Sequence, residues 1–236
     1  QSSAASDVYK RQFIYSSKSN NKKRVKDFQK NFIELAINSG ALKFGKFVLK
    51  SGRQSPYFFN ASALVEYGEL DALAEILKAK IQEENINMDM IFGPAYKGIF
   101  LGSILGTKLS VNGKMPVCFN RKEAKDHGEG GSLIGAEPKG KILIIDDVIS
   151  SGLAIKESIS LLEPFDVSIE GALVTLDRQE RGGDTELMAS EELEKIGIKV
   201  FSVISLDDLL EADDLITDDN IRKIEEYRNQ YRGENV

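Results

Sequence analysis

Lys141-Ile-Leu-Ile-Ile-Asp-Asp-Val-Ile-Ser-Ser-Gly-Leu-Ala-Ile-Lys-Glu-Ser158 is the stretch on which the fold of this chain turns. Ile142, Leu143, Ile144 and Ile145 form an unbroken apolar run, which predicts a short strand buried on both faces. Asp146 and Asp147 follow at its end, then the small-residue loop Ser150-Ser151-Gly152. Ile155, Ile159 and Leu162 recur at helical spacing until Pro164 stops the helix. A loop that opens a helix offers free backbone N–H groups and the positive end of the helix dipole, which suits a phosphate. Two adjacent carboxylates can accept hydrogen bonds from neighbouring hydroxyls, as on a ribose. An ordinary strand-to-helix turn with two solvated acids shares this spacing, so spacing alone leaves both readings open.

Strand-like and helix-like runs alternate on either side of this unit. Asp27 can cap a helix over residues 27–39, with Phe28, Phe32, Leu35 and Ala36 on one face and Gly40 at its C-cap. Residues 44–49 and 55–60 read as extended pieces around the turn Ser51-Gly52-Arg53. Tyr57, Phe58 and Phe59 are consecutive, and strand side chains alternate, so at least one ring must face away from a single core. A helix over 68–84, a strand over 88–92, a helix over 99–109 and a strand over 115–119 come next. After the central unit follow strands over 167–176 and 199–204, with helices over 186–196, 206–211 and 218–228. The alternation predicts an α/β fold: a mostly parallel central sheet flanked by helices, with a small added subdomain. Ligands in such folds sit beyond the carboxyl ends of the strands. The tracts at Gly93, Asn120, Asp146 and Asp177 all follow predicted strands and can converge on one cleft.

Two of those tracts carry anion-handling chemistry of their own. Gly93-Pro-Ala-Tyr-Lys-Gly98 is a second glycine-containing loop at a helix start, with Tyr96 and Lys97 as its polar equipment. A strained peptide, cis or otherwise off ordinary trans geometry, is predicted near Ala95–Tyr96. Gly102 and Gly106 in the following helix read as close packing. Residues 120–140 are polar and glycine-rich without periodicity, which predicts a long loop, either a lid or a solvated surface segment. The loop holds Arg121, Lys122, Lys125 and the single histidine, His127. Arg178 can bind both oxygens of a carboxylate through its planar fork, although a surface ion pair would read alike.

Bulk properties narrow the function. A length of 236 residues with 42% apolar content supports one domain with a proper core. A net charge of −6 without a basic face argues against nucleic-acid binding, and no apolar run of membrane-spanning length occurs. The lone Cys118 allows no internal disulfide and fits a reducing cytoplasm. With one His and one Cys no zinc-site spacing exists, whereas a Mg²⁺ held by carboxylates and substrate remains open. Residues 1–26 are polar and irregular, and Ser2 to Gln12 resembles a translated sequencing adaptor, so this tail is set apart from a domain over 27–236.

The Ile-Ile-Asp-Asp-Val-Ile-Ser-Ser-Gly stretch resembles the phosphoribosyl-diphosphate (PRPP) loop of the type I phosphoribosyltransferases. Cys118-Phe-Asn-Arg-Lys-Glu-Ala-Lys-Asp-His-Gly-Glu-Gly-Gly131 and Leu176-Asp-Arg-Gln-Glu-Arg-Gly182 are similar to segments of the orotate phosphoribosyltransferases. The resemblance implies transfer of ribose 5-phosphate from PRPP to orotate, giving orotidine 5′-monophosphate and pyrophosphate on the way to UMP, with Mg²⁺. It implies a PRPP site of Lys50, Tyr96, Lys97, Arg121, Lys122, Lys125, His127, Asp146, Asp147, Val148, Ile149, Ser150, Ser151, Gly152, Leu153 and Ala154. Lys125, Arg121, Lys122, His127 and Asp147 are the implied catalytic groups, with Lys125 foremost. Phe58, Phe59, Ser150 and Arg178 would select orotate, under a hood built largely from residues 27–66 and C-terminal segments. Metal would be held mainly through PRPP and water. A homodimer with shared sites is implied, since the family's mobile loop crosses into the neighbouring subunit. One departure stands out: the family's Thr-x-Gly-Thr pattern is here Ser150-Ser151-Gly152-Leu153, without the last hydroxyl. A phosphoribosyltransferase for another base and a non-catalytic PRPP-sensing regulator are the alternatives. The length leaves no room for a fused decarboxylase, so the next step would fall to a separate protein.

Overall fold

The computed structural model describes residues 25–49, 51–125, 131–182 and 185–234, without the side chains of Asn112, Ala124, Lys125 and Gly131. In chain order the elements are α1 (Asp27–Asn38), β1 (Leu42–Val48), β2 (Gln54–Phe59), α2 (Ser62–Tyr67), α3 (Leu70–Glu83), β3 (Met90–Gly93), α4 (Lys97–Leu109), β4 (Val117–Lys125), β5 (Gly131–Gly135), β6 (Gly140–Ile149), α5 (Leu153–Leu162), β7 (Val167–Asp177), α6 (Ala189–Lys195), β8 (Val200–Ser205), α7 (Leu206–Leu210) and α8 (Asp218–Tyr231). Six strands make one sheet in the order β5-β4-β3-β6-β7-β8, and β1 and β2 make a separate antiparallel hairpin. All pairs in the large sheet are parallel except β4 with β5 at one edge.

Strand β6 lies at the centre, and its side chains alternate between two cores. Leu143 and Ile145 join Ile91, Leu101, Leu173, Val203 and the helices α1 and α3 on one face. Ile142 and Ile144 join Phe92, Cys118, Val174, Ile155 and Leu193 on the other. This is why the run is apolar throughout rather than at every second residue. The first face also carries the hood hairpin, through Tyr57 and Phe59, and the last helix, through Ile224 and Tyr227.

Three expectations need correcting. First, the acid pair does not follow the central strand but lies within it. Pairing with β7 runs on from Gly140↔Val167 to Ile149↔Asp177, so the ladder carries Asp146 and Asp147 with it. Second, the polar tract after residue 119 is not a loop throughout. β4 continues to Lys125 and pairs with β5 through Phe119↔Ile134, Asn120↔Leu133 and Lys125↔Gly131. An edge hairpin buries little, so its sequence lacks the alternation that betrays a half-buried strand. Third, the N-cap of α1 is Lys26 rather than Asp27, and its backbone N–H donates to Gln29 Oε1 at 3.0 Å. The short helix α2, ended by Gly68 at φ +87°, is too brief to show periodicity.

The loop between β3 and α4 is pressed against β6. A Cβ on Gly98 would stand 2.5 Å from the carbonyl oxygen of Ile145, and one on Gly93 would stand 2.2 Å from the carbonyl oxygen of Gly98. On Gly102 the nearest atoms would be side-chain carbons at 3.4 Å. Gly98→Ala is therefore expected to lower unfolding free energy by about 1–3 kcal/mol, as overpacking usually does. Gly102→Ala should lie well below that. Urea denaturation of both variants checks the contrast, and equal losses would mean that the close approach at Gly98 is unimportant.

Candidate active site

The carboxyl ends of β3, β4, β6 and β7 lie side by side, so the tracts that follow them share one edge of the sheet. Thr175 of β7 donates to the carbonyl oxygen of Asp147 at 2.5 Å. The Ala95 N–H donates to Asn120 Oδ1 at 2.6 Å, which ties the β3–α4 loop to β4. The peptide between Ala95 and Tyr96 is cis, one of the two departures from ordinary trans geometry that the sequence reading allowed. Tyr96 is 71% exposed at the start of α4.

Asp146 and Asp147 are half-buried neighbours. Asp146 Oδ1 accepts from the Asp147 N–H and Asp147 Oδ1 from the Val148 N–H, both at 2.9 Å. Burial, reinforced by the charge of Asp147, pushes Asp146 up to about 7. Burial also raises Asp147, against the pull of the Val148 N–H and the Lys97 charge. Lys122 acts on Asp146 in the same relieving sense. The pair thus feels two cations, one at the start of α4 and one on β4. Lys97 in turn donates to Ser62 Oγ and, at 3.5 Å, to Asn60 Oδ1, both on the hood side.

Helix α5 begins immediately beyond the pair, with Gly152 in the left-handed region at φ +69° as its N-cap. Its first-turn N–H groups have no carbonyl within the helix to bind. Ser150, Ser151 and Ala154 are exposed, and so is Leu153, at 59%. Ile149 is different: its side chain is buried in the core, and only its backbone is left for a ligand. Val148 is half-buried. Arg121 is half-buried, and its Nη1 is buried without a hydrogen-bond partner among the described residues. A cavity of about 350 Å³ runs past Tyr96, Asn120, Arg121 and Lys122. Lys50 and His127, both expected in the site, lie outside the described residues, as does the side chain of Lys125.

Strand alternation divides the hood aromatics. Tyr57 and Phe59 point into the core, Phe59 against Phe32 with ring centroids 6.2 Å apart. Phe58 is 39% exposed and stacks on Phe47 at 5.5 Å. The Phe59 ring is therefore turned into the core, and of the pair only Phe58 is exposed.

Arg178, expected as a free fork, is 6% exposed and already engaged. Its Nε donates to Glu180 Oε1 at 2.7 Å and its Nη2 to the Tyr227 hydroxyl at 3.2 Å. Its guanidinium lies 4.5 Å above the Tyr57 ring. Sequence reasoning missed Glu180, Tyr227, Tyr57, Thr175 and Ser62. Of these, Tyr227 with Tyr231 shows a readable signal, two aromatics four residues apart on a polar helix. The segment from β2 onward contacts both groups: Tyr57 lies under Arg178, and Asn60, three residues on, accepts from Lys97.

Residues 64–204 match the family model of the phosphoribosyl transferase domain. The chain is 46% identical over 213 residues to the orotate phosphoribosyltransferase of Laribacter hongkongensis, covering 88% of this chain and 99% of that one. It is 47% identical over 209 residues to the enzyme of that name from Pseudomonas syringae pv. tomato, covering 86% and 98%. The crystal structure of orotate phosphoribosyltransferase from Francisella tularensis superposes with a TM-score of 0.75 at 37% identity, over 86% of this chain and 99% of that one.

The acid pair has a consequence for stability. The folded chain holds a proton on Asp146 up to about 7, whereas an unconstrained aspartate releases it near 3.8. Between those values the native state binds more protons than the unfolded state, so stability falls as pH rises. Asp146→Asn is expected to raise the melting temperature at pH 8 and to leave it nearly unchanged at pH 4. A shift of the same size at both pH values would show that the buried charge is not its cause.

Proposed function

The chain belongs to the orotate phosphoribosyltransferases, within the phosphoribosyl transferase domain family, and from that membership we propose how its residues divide the reaction. Ribose 5-phosphate passes from PRPP to N1 of orotate, giving orotidine 5′-monophosphate and pyrophosphate for pyrimidine synthesis. The observation that supports the proposal is the half-buried acid pair on β6, which feels the charges of Lys97 and Lys122 and stands just before the start of α5. Asp146 and Asp147 accept hydrogen bonds from the ribose hydroxyls. The backbone from Ser150 to Ala154, at the positive end of α5, cradles the 5-phosphate. Phe58 covers the pyrimidine, and Arg178 reads its carboxylate.

Breaking the anomeric bond builds positive charge on the ribose and negative charge on the departing pyrophosphate. Cations fixed at the departing oxygens act more strongly in the transition state than before it. Arg121, Lys122 and Lys97 supply them from the described residues, and Arg121 Nη1 is a buried donor in need of an acceptor. Lys125 and His127 complete the set by family resemblance, as Lys50 completes the PRPP site. The donor set suits Mg²⁺ only in part: two adjacent carboxylates are present, and no cluster of three metal-binding side chains exists among the described residues. The ion would be held mainly by PRPP oxygens and water, and when bound it neutralises pyrophosphate charge. We further propose a homodimer in which the segment around Lys125 enters the partner's site, and a cytoplasmic location. Among the described residues no helix is long and apolar enough to cross a membrane.

An orotate absorbance assay with PRPP and Mg²⁺ tests the reaction. Lys125→Ala should lower kcat by on the order of 10²-fold or more, the usual effect of one lost transition-state donor. Near-normal turnover would remove Lys125 from that role. Leu153 stands exposed where the family carries a hydroxyl, so Leu153→Thr should lower KM for PRPP by about fivefold, the worth of one hydrogen bond. An unchanged KM would mean that the backbone cradle already suffices.

A further inference from the structure

Glu180 is 4% exposed and takes hydrogen bonds from three segments far apart in the chain. Its Oε1 accepts from Arg178 Nε at 2.7 Å and from the Tyr227 hydroxyl at 2.6 Å. Its Oε2 accepts from Arg53 Nη1 at 2.9 Å. Arg53 lies in the hood turn, Arg178 just past β7 and Tyr227 on α8. The two guanidiniums are also held by rings. Arg178 lies over Tyr57, with Tyr227 6.0 Å away, and Arg53 lies 5.3 Å over Tyr231. Tyr227 and Tyr231 are one helical turn apart, so a single face of α8 packs on both arginines.

The geometry uses one side of the Arg178 fork and spares the other. Nε and Nη2 are engaged, while Nη1 has no hydrogen-bond partner among the described residues. Two arginines face one carboxylate, so this hydrogen-bonded cluster carries one positive charge more than negative. A ligand bringing a single carboxylate to the free end of the fork would neutralise it, and a neutral base would not. A guanidinium on four rotatable bonds would otherwise lose that alignment among many rotamers.

We propose that Glu180 is a positioning residue for base selection. It fixes the Arg178 fork, with Tyr227 and Arg53 as its own anchors, so that the free end meets the pyrimidine carboxylate. The last helix thereby becomes part of the specificity apparatus. The proposal rests on Arg178 reading that carboxylate, as set out above.

Steady-state kinetics on Glu180→Gln, Tyr227→Phe and Arg178→Ala test it. Glutamine keeps the shape but turns an amide N–H₂ toward one of the arginines. Phenylalanine keeps the ring and removes the hydroxyl. Glu180→Gln should raise KM for orotate by about 10- to 100-fold and Tyr227→Phe by about 3- to 10-fold, the range for charged and neutral hydrogen bonds. In both, KM for PRPP should stay within about twofold, and the preference for orotate over uracil, which lacks the carboxylate, should fall by the same factor. Equal losses for orotate and PRPP, or an unchanged orotate KM where Arg178→Ala raises it, would overturn the positioning role. If Arg178→Ala itself spares orotate, the reading of Arg178 fails instead, and the proposal with it. Should Glu180→Gln not fold, Tyr227→Phe carries the same comparison.

Discussion

Two carboxylates next to each other on a half-buried strand lose hydration and repel, and the architecture of this site is organised around that unfavourable contact. Burial raises both acids, and it outweighs the hydrogen bonds they accept from their own backbone. The adjacent positions are not negotiable, because the ladder between β6 and β7 fixes the backbone through Asp146 and on to Ile149. Relief has to come from outside the strand. Lys97 reaches in from the start of α4 and Lys122 from β4. A ligand with neighbouring hydroxyls gives the ionised pair the partners that water no longer provides. The buried pair therefore costs stability in its own terms, and on the proposed reading substrate hydroxyls offset that cost, a familiar trade between stability and function.

The second cluster solves the mirror-image problem. Arg53 and Arg178 are cations brought near each other in a largely buried setting, and Glu180 lies between them. There the surplus is positive. The two clusters hang on opposite stretches of the same hood: Tyr57 lies under Arg178, and Asn60 and Ser62 bind Lys97. Movement of the segment from Tyr57 to Ser62 would disturb both clusters at once. Its own core anchors, Tyr57 and Phe59, are buried and oppose such movement.

How much of this was legible in the sequence follows from how much each element buries. β6 was readable because both its faces are buried, which demands apolar residues without a break. The turn into α5 was readable because Gly152 occupies a left-handed conformation that favours glycine. The β4–β5 hairpin was not, since beyond Phe119 its residues are mostly polar or glycine and the register shifts between Asn120 and Lys125, so no alternation survives. Arg178 was singled out as a fork for a carboxylate, but its partners within the chain were invisible. Glu180 is two residues away, and its bonds run to Arg53 and Tyr227, 127 and 47 positions distant. Hydrogen bonds between remote segments leave no trace in local spacing. Phe59 shows the converse: a motif drew the eye to two rings, and strand alternation alone sends one of them into the core.

A chain of net charge −6 that handles a polyanion needs a local field opposed to its global one. Over distances beyond about 8–10 Å salt screens the overall charge, so the excess of acids elsewhere matters little inside the cleft. What counts is the set of groups within that distance, and there the sequence concentrates its cations at strand ends and helix starts. Lys97 begins α4, Arg121 and Lys122 stand on β4, and the first turn of α5 adds its N–H groups. None of these positions depends on a large basic face. Lys97 and the start of α5 are placed by elements that the core holds, so on the proposed reading that part of the field is set before substrate arrives.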